Sequence, residues 1–155
     1  MSTWRQRARL SDEDGQLTIL ILGLTVIAAT LILVGLAATT VHLARVRMFD
    51  LADAAALDAA DSLSETAYRS GVGTSVPLSD AAVRQAAADY LAGMDKPENV
   101  SAWSLGPGTG SPDGHVAVVV LRGDVRIPYL SWVLDAVHGH VAVTVESSAR
   151  SDVVP

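Results

Sequence analysis

Thirty consecutive residues, Gly15 to Ala44, carry no formal charge in a chain of 155 residues, and such a stretch leaves few ways to fold. Fifteen Leu, Ile or Val residues lie between Leu17 and Leu43. Each is worth roughly −0.3 to −0.6 kcal/mol near a bilayer centre, so together they outweigh the five threonines of the run and favour insertion. About twenty residues rising ~1.5 Å each cross the hydrocarbon core, and this run crosses with length to spare. Burying it inside a soluble protein would require apolar cover on every side, more than the rest of the chain supplies. The run predicts a transmembrane helix over 16–44 and a location in the cell membrane.

Orientation follows from positive charge near the ends of the span. Arg5, Arg7 and Arg9 precede it, and Arg45 and Arg47 follow. Three arginines against two favour a cytoplasmic N-terminus and an extracytoplasmic C-terminal domain, which a short stub before the span also suits. The competing reading is a cleaved secretory signal. Its apolar region would be about 7–15 residues, half the length seen, although Ala37, Ala38 and Ala44 are small enough to leave a cleavage site open.

Charge is uneven along the chain. The net charge is −6, and the region after Ala44 holds eight Lys/Arg against fourteen Asp/Glu. An acidic outer domain argues against nucleic acid or anionic lipid as its main partner, since both require a positive field. With no cysteine, disulfides and thiolate chemistry are excluded.

From Arg45 to about Tyr68 there is no Gly or Pro, and alanine, the best helix former, dominates. Phe49, Ala52, Ala56, Ala59, Leu63 and Ala67 recur at steps of three and four, one helical face, while Asp50, Asp53, Asp58 and Asp61 read as a solvated face. The pattern predicts one helix of about fifty residues, greasy all round in its first half and amphipathic in its second. Gly71, Gly73 and Pro77 end it. Ser79 then suits an N-cap, Asp80 the positive end of a helix, Leu78 a staple onto Val83, and Gly93 a C-terminal cap.

Beyond Pro97 the pattern becomes β. Val100 to Leu105 is a candidate strand, Gly106 to Gly114 a turn-rich loop, and His115 to Leu121 a strand apolar on both faces. Val125 and Ile127 continue or return that ladder. Tyr129, Leu130, Val133, Leu134 and Val137 suggest a short helix, and Val141, Val143 and Val145 an amphipathic last strand. Strands this short need cover, which the Ala-rich face and the second helix can provide. The expected class is α+β: a long N-terminal transmembrane helix continuing outside the membrane, then a second helix and a small, mainly antiparallel sheet. The expected divisions are a cytoplasmic stub at 1–15, the span at 16–44, the Ala-rich amphipathic helix at 45–70 and a small extracytoplasmic domain at 71–155.

The leader Glu13-Asp14-Gly15-Gln16-Leu17-Thr18, the boundary Arg45-Val46-Arg47 and the run Leu51-Ala52-Asp53-Ala54-Ala55-Ala56-Leu57-Asp58-Ala59-Ala60 together resemble the TadE/TadG-like proteins of tight-adherence (Flp-type) pilus systems. Ile127-Pro128-Tyr129-Leu130 and the closing Val143 to Arg150 are similar to that family's C-terminal end. The resemblance implies a pseudopilin-like minor subunit or assembly factor of a bacterial pilus or secretion apparatus, whose partners are the membrane and other subunits met through helix packing. In pilin-like members a dedicated peptidase cuts after a glycine, and a glutamate five residues on aids assembly. Gly15 and Gln16 match the cleavage position, but the fifth residue after the glycine is Leu20. A retained membrane component is therefore as compatible as a filament subunit.

Small residues let membrane helices approach closely, and Gly23, Thr30, Ala37 and Ala44 recur every seven residues as a candidate packing seam. Elsewhere the chemistry is thin. Asp135, His138 and His140 mix carboxylate and imidazole without a recognised metal-ligand spacing. Gly106, Gly108 and Gly110 lack the Gly-Lys-Ser/Thr of a phosphate cradle, and Asp113-Gly114-His115 reads as a turn entering a strand. His42 is the one ionisable group inside the run, Trp4 a candidate interfacial anchor, and Asn99-Val100-Ser101 a glycosylation sequon with little meaning in a bacterial protein. No catalytic, cofactor or metal set can be assembled. The expectation is a non-enzymatic structural or assembly protein. The alternatives are a membrane-tethered binding or sensor module and, more remotely, a membrane-anchored enzyme.

Overall fold

The long helix is present and starts earlier than the apolar pattern requires. A computed structural model describes residues 4–69, 79–131, 135 and 141–150. Its first element, α1 (Trp4–Arg69), is a single helix of 66 residues. Residues 4–14 are rich in Arg, Gln, Ala, Leu and Glu and contain neither Gly nor Pro, so nothing in them stops the helix at the leader. There follow α2 (Asp80–Ala92), β1 (Val100–Leu105), β2 (Val116–Val125) and β3 (Val141–Arg150). The expected α+β class is what the structure shows. The expected short helix near Tyr129 to Val137 and the staple from Leu78 fall largely outside the described residues.

Two compact units divide the chain, Met1–Ala38 and Thr39–Pro155. In the first, the described side chains from Gly15 onward stand exposed apart from half-buried Ala37. Thr25 and Thr30 donate their hydroxyls to the carbonyls of Ile21 and Val26, each at 2.8 Å. Those bonds satisfy the hydroxyls within the helix itself.

In the second unit, the part of α1 from Thr39 onward and α2 share one apolar core with the sheet. The sheet has order β1-β2-β3 with both pairings antiparallel. Direct partners lie on one face, so the register places Trp103, Gly123 and Val143 together, with Leu105, Leu121 and Val145 beside them. This is the covered face. The face opposite carries Ala102, Ser104, Arg122, Thr144, Glu146 and Ser148, all exposed.

Alanines set the helix-to-sheet distance. Ala44, Ala52, Ala55, Ala56, Ala59 and Ala60 are buried, with Met48 fully enclosed among them. A Cβ on Gly123 would lie 2.7 Å from both Sδ and Cε of Met48, so the glycine of the central strand makes the hollow that Met48 fills. The expected face is right at Ala52, Ala56 and Ala59 but wrong at Phe49, which is 47% exposed. Met48 takes its place because Ala44, Met48, Ala52, Ala55 and Ala59 form the stripe that points at the sheet. Leu63 and Ala67 have side chains outside the described set.

Helix α2 begins as its sequence predicts. Ser79 accepts at Oγ from the Ala82 N–H at 3.2 Å, Asp80 sits in the first turn, and the Gly93 N–H bonds to the carbonyl of Tyr90 at 3.1 Å. Its buried residues are Val83, Ala87 and Leu91. The turn into β1 needs Asn99 at φ 66°, a left-handed conformation that asparagine tolerates, and Asn99 accepts at its carbonyl from the Arg126 N–H at 2.7 Å. Gly114, at φ 75°, serves the turn into β2.

Candidate functional site

The residues singled out in the sequence fall into two groups, those on α1 and those on the loops of the sheet. On α1, Gly15 and Gln16 are exposed and lie inside the helix. Gly23 and Gly35 have open space where a Cβ would go. Gly23 and Thr30 are exposed, Ala37 is half-buried, and Ala44, the last residue of the heptad-spaced series, is 2% exposed within the second unit's own core. His42 is exposed.

The acidic face needs one correction. Asp50, Asp58 and Asp61 are exposed, as a solvated face requires, but Asp53 is half-buried and accepts at Oδ1 from the Ser147 hydroxyl at 2.7 Å. Ser147 is 8% exposed on the covered face of β3, where an unpaired hydroxyl would be costly. Asp53 therefore ties α1 to β3 across an otherwise apolar interface. Residue type does not distinguish it from Asp50, Asp58 and Asp61, which point to water.

The glycine-rich loop is a structural part and its geometry says why glycines are needed. The Gly106 N–H donates to the Val120 carbonyl at 2.7 Å, and Gly110 and Val118 exchange backbone bonds at 2.9 and 2.8 Å. Thr109 Oγ1 donates to the Val120 carbonyl at 3.2 Å and accepts from the Val120 N–H at 3.1 Å. The loop thus extends the pairing of β2 beyond β1 and covers Val120, which explains a strand apolar on both faces. A Cβ on Gly106 would meet Val120 Cγ1 at 2.6 Å, and one on Gly110 would strike the Asp80 carboxylate. From α2, Arg84 donates Nε to the Thr109 carbonyl at 2.8 Å and Nη2 to the Pro107 carbonyl at 2.9 Å. Asp80 accepts from the Ser111 N–H at 2.7 Å. Asp80 and Arg84, one helical turn apart, clamp the loop from one side. The sequence reading places Asp80 only at the helix start and does not single out Arg84.

Asp113 makes the expected turn, accepting at Oδ1 from the N–H groups of His115 at 2.9 Å and Val116 at 2.8 Å. Those two bonds, chiefly that from His115, hold its carboxyl below the ordinary range, because they favour the charged form. Asp135 is exposed, and His138 and His140 lie outside the described residues. Among the described residues no three His, Asp or Glu side chains gather as a metal would need. On the open sheet face, Ser104, Arg122, Asp124 and Thr144 line a shallow depression floored by the small side chains Ala102 and Ala142.

The feature with the strongest functional content is therefore α1 itself. Among the described residues, its segment Gly15–Ser62 is the one helix long and apolar enough to cross a membrane, a candidate span near the N-terminus. The same residues, 15–62, match the model of the TadE/G-like Flp pilus-assembly family. Over that segment, less than a third of the chain, the resemblance read from the leader, the apolar run and the Ala-Asp run is shown. No curated protein and no solved structure matches the chain.

Proposed function

We propose that the protein is a non-enzymatic, single-pass membrane component of a tight-adherence-type pilus or related secretion apparatus, a pseudopilin-like minor subunit or an assembly factor. Its N-terminus is cytoplasmic and its C-terminal domain extracytoplasmic. The observation that carries this reading is the coincidence of the candidate span with the family match over residues 15–62. The exposed apolar side chains of that helix, such as Ile19 at 74%, have no place in water and suit lipid or neighbouring membrane helices. Gly23, Thr30 and Ala37 would be the seam for such neighbours. Ala44 is committed to the core of its own domain.

Within this reading, assembly factor and filament subunit differ at Gly15-Gln16. Intact mass of the protein taken from its native membrane tests the point. A chain starting at Gln16 supports the minor-subunit form, and a chain starting at Met1 or Ser2 supports the retained factor. A cut between Ala37 and Ala44 would refute both, because it releases the domain from the membrane.

A further inference from the structure

Two contacts show which flank of α1 faces which edge of the sheet within the second unit. Arg47 pairs with Glu98, just before β1, at 3.5 Å, and Asp53 bonds to Ser147 on β3. With Met48 over Gly123 of the central strand, one flank of the helix looks toward β1 and the other toward β3. Helix α2 lies on the β1 side, where Arg84 holds the loop that pairs with β2 beyond β1. Strand β3 ends the order β1-β2-β3, so among the described residues no element stands beside α1 on that side.

The β3 flank is not the surface of an ordinary solvated helix. Between Val46 and Asp61 the large apolar residues are Val46, Met48, Phe49, Leu51 and Leu57. Met48 is in the core and Leu51 packs against it. Val46, Phe49 and Leu57 are 43%, 47% and 52% exposed. At about 100° per residue these three fall with Asp50, Asp53 and Asp61 in one arc of about 120°. Asp50 and Asp61 are exposed. No described cation shares the arc: Arg45 points about 40° outside it, and Arg47 leaves on the far flank in its pair with Glu98. The two charges of β3, Glu146 and Arg150, leave by the open face of the sheet.

We propose that this arc is the docking face for a basic amphipathic helix of a partner protein. The apolar stripe of that helix covers Val46, Phe49 and Leu57, and its Lys or Arg side chains meet Asp50 and Asp61. From Val46 to Asp61 the arc runs about 22 Å, the length of a four-turn helix. Charge decides the occupant. A second copy presenting the same arc would bring Asp50 and Asp61 against acids, and an anionic lipid surface would be repelled. A helix with cations along the edges of its apolar stripe gains twice, since apolar burial and attraction act along the same line. Exposed charge pairs hold weakly, so the three apolar contacts bind the helix and the two aspartates select it.

The test uses the full chain in phosphatidylcholine nanodiscs and two helical peptides of about fifteen residues, the length of the arc. Both peptides carry the same leucine stripe with one benzophenone on it; one has lysines on its flanks and the other glutamates. Mass spectrometry locates the photo-adducts. The lysine peptide should label the stretch from Val46 to Asp61, and Asp50→Lys/Asp61→Lys should cut that adduct by at least about tenfold. Asp50→Asn/Asp61→Asn should fall between. Asp89→Lys/Asp95→Lys makes the same change in net charge elsewhere and should leave the adduct within about twofold. All four aspartates are exposed, so the fold is not at stake. Equal loss in the two lysine variants would reduce the effect to net charge and overturn the site. Equal labelling by the glutamate peptide, whose charge is that of a second copy's arc, would overturn it in favour of self-association. Adducts confined to other surfaces of the domain would overturn it as well.

Discussion

Replacing Asp53 by alanine tests whether the interface between α1 and β3 is held in register by one polar bond. The Ser147 hydroxyl is buried and donates to Asp53 Oδ1 at 2.7 Å. A hydrogen bond to a charged group contributes about 1.5–3 kcal/mol, and the loss falls hardest when the orphaned partner stays buried. Ser147 stays buried. Alanine also gains some helix propensity over aspartate, about 0.5 kcal/mol, which offsets part of the loss. The net expectation for Asp53→Ala is a loss of about 1–2 kcal/mol. Asp53→Asn keeps an acceptor oxygen and should lose less. Ser147→Ala should also lose less, because the half-exposed carboxylate can turn to water. The double variant should fall short of the sum by at least ~0.5 kcal/mol, the coupling expected of direct partners. Urea unfolding of the full chain in mild detergent, followed by near-ultraviolet circular dichroism with an unchanged denaturant slope, measures each term. A loss under ~0.5 kcal/mol for Asp53→Ala, the level of an ordinary surface change, or strict additivity in the cycle, would refute the reasoning and return Asp53 to the solvated face.

Two further outcomes are expected. Met48→Ala should destabilise by about 2–5 kcal/mol through the cavity it leaves, and Gly123→Ala by about 1–3 kcal/mol because its Cβ would sit 2.7 Å from the enclosed Met48 tip; thermal unfolding should show the double variant to be better than the sum of the two. Asp113 should titrate below the ordinary carboxylate range in a carboxyl-carbon nuclear magnetic resonance titration. Its folded-state value is depressed, so its contribution is full above the unfolded-state value and is lost as pH falls through the folded one; Asp113→Ala should flatten that part of the acid limb.

Local rules carried the reading of α2 and the strands a long way. Ser79, Asp80 and Gly93 bound a helix by chemistry that acts within a turn, and Val100 to Leu105 was bounded correctly because Asn99 and Gly106 punctuate it. The second strand was less clear. The sequence leaves open whether Val125 and Ile127 continue the ladder or return it; β2 runs unbroken from Val116 to Val125 through Gly123, the hollow for Met48. The last strand ran on to Arg150, further than its valines, because Ser147 and Ala149 are held by pairing with β2 and by Asp53.

By itself the sequence determined the apolar run, the caps, the absence of thiol chemistry and the likeness over residues 15–62, because charge, hydropathy and helix propensity act residue by residue. Only the tertiary structure decided which helical face meets the sheet, why one of four similar aspartates is half-buried, and what the glycine-rich loop is for. Those properties belong to pairs of residues up to 94 positions apart, as Asp53 and Ser147 are, and no periodicity along a single chain encodes which distant partner a side chain will meet.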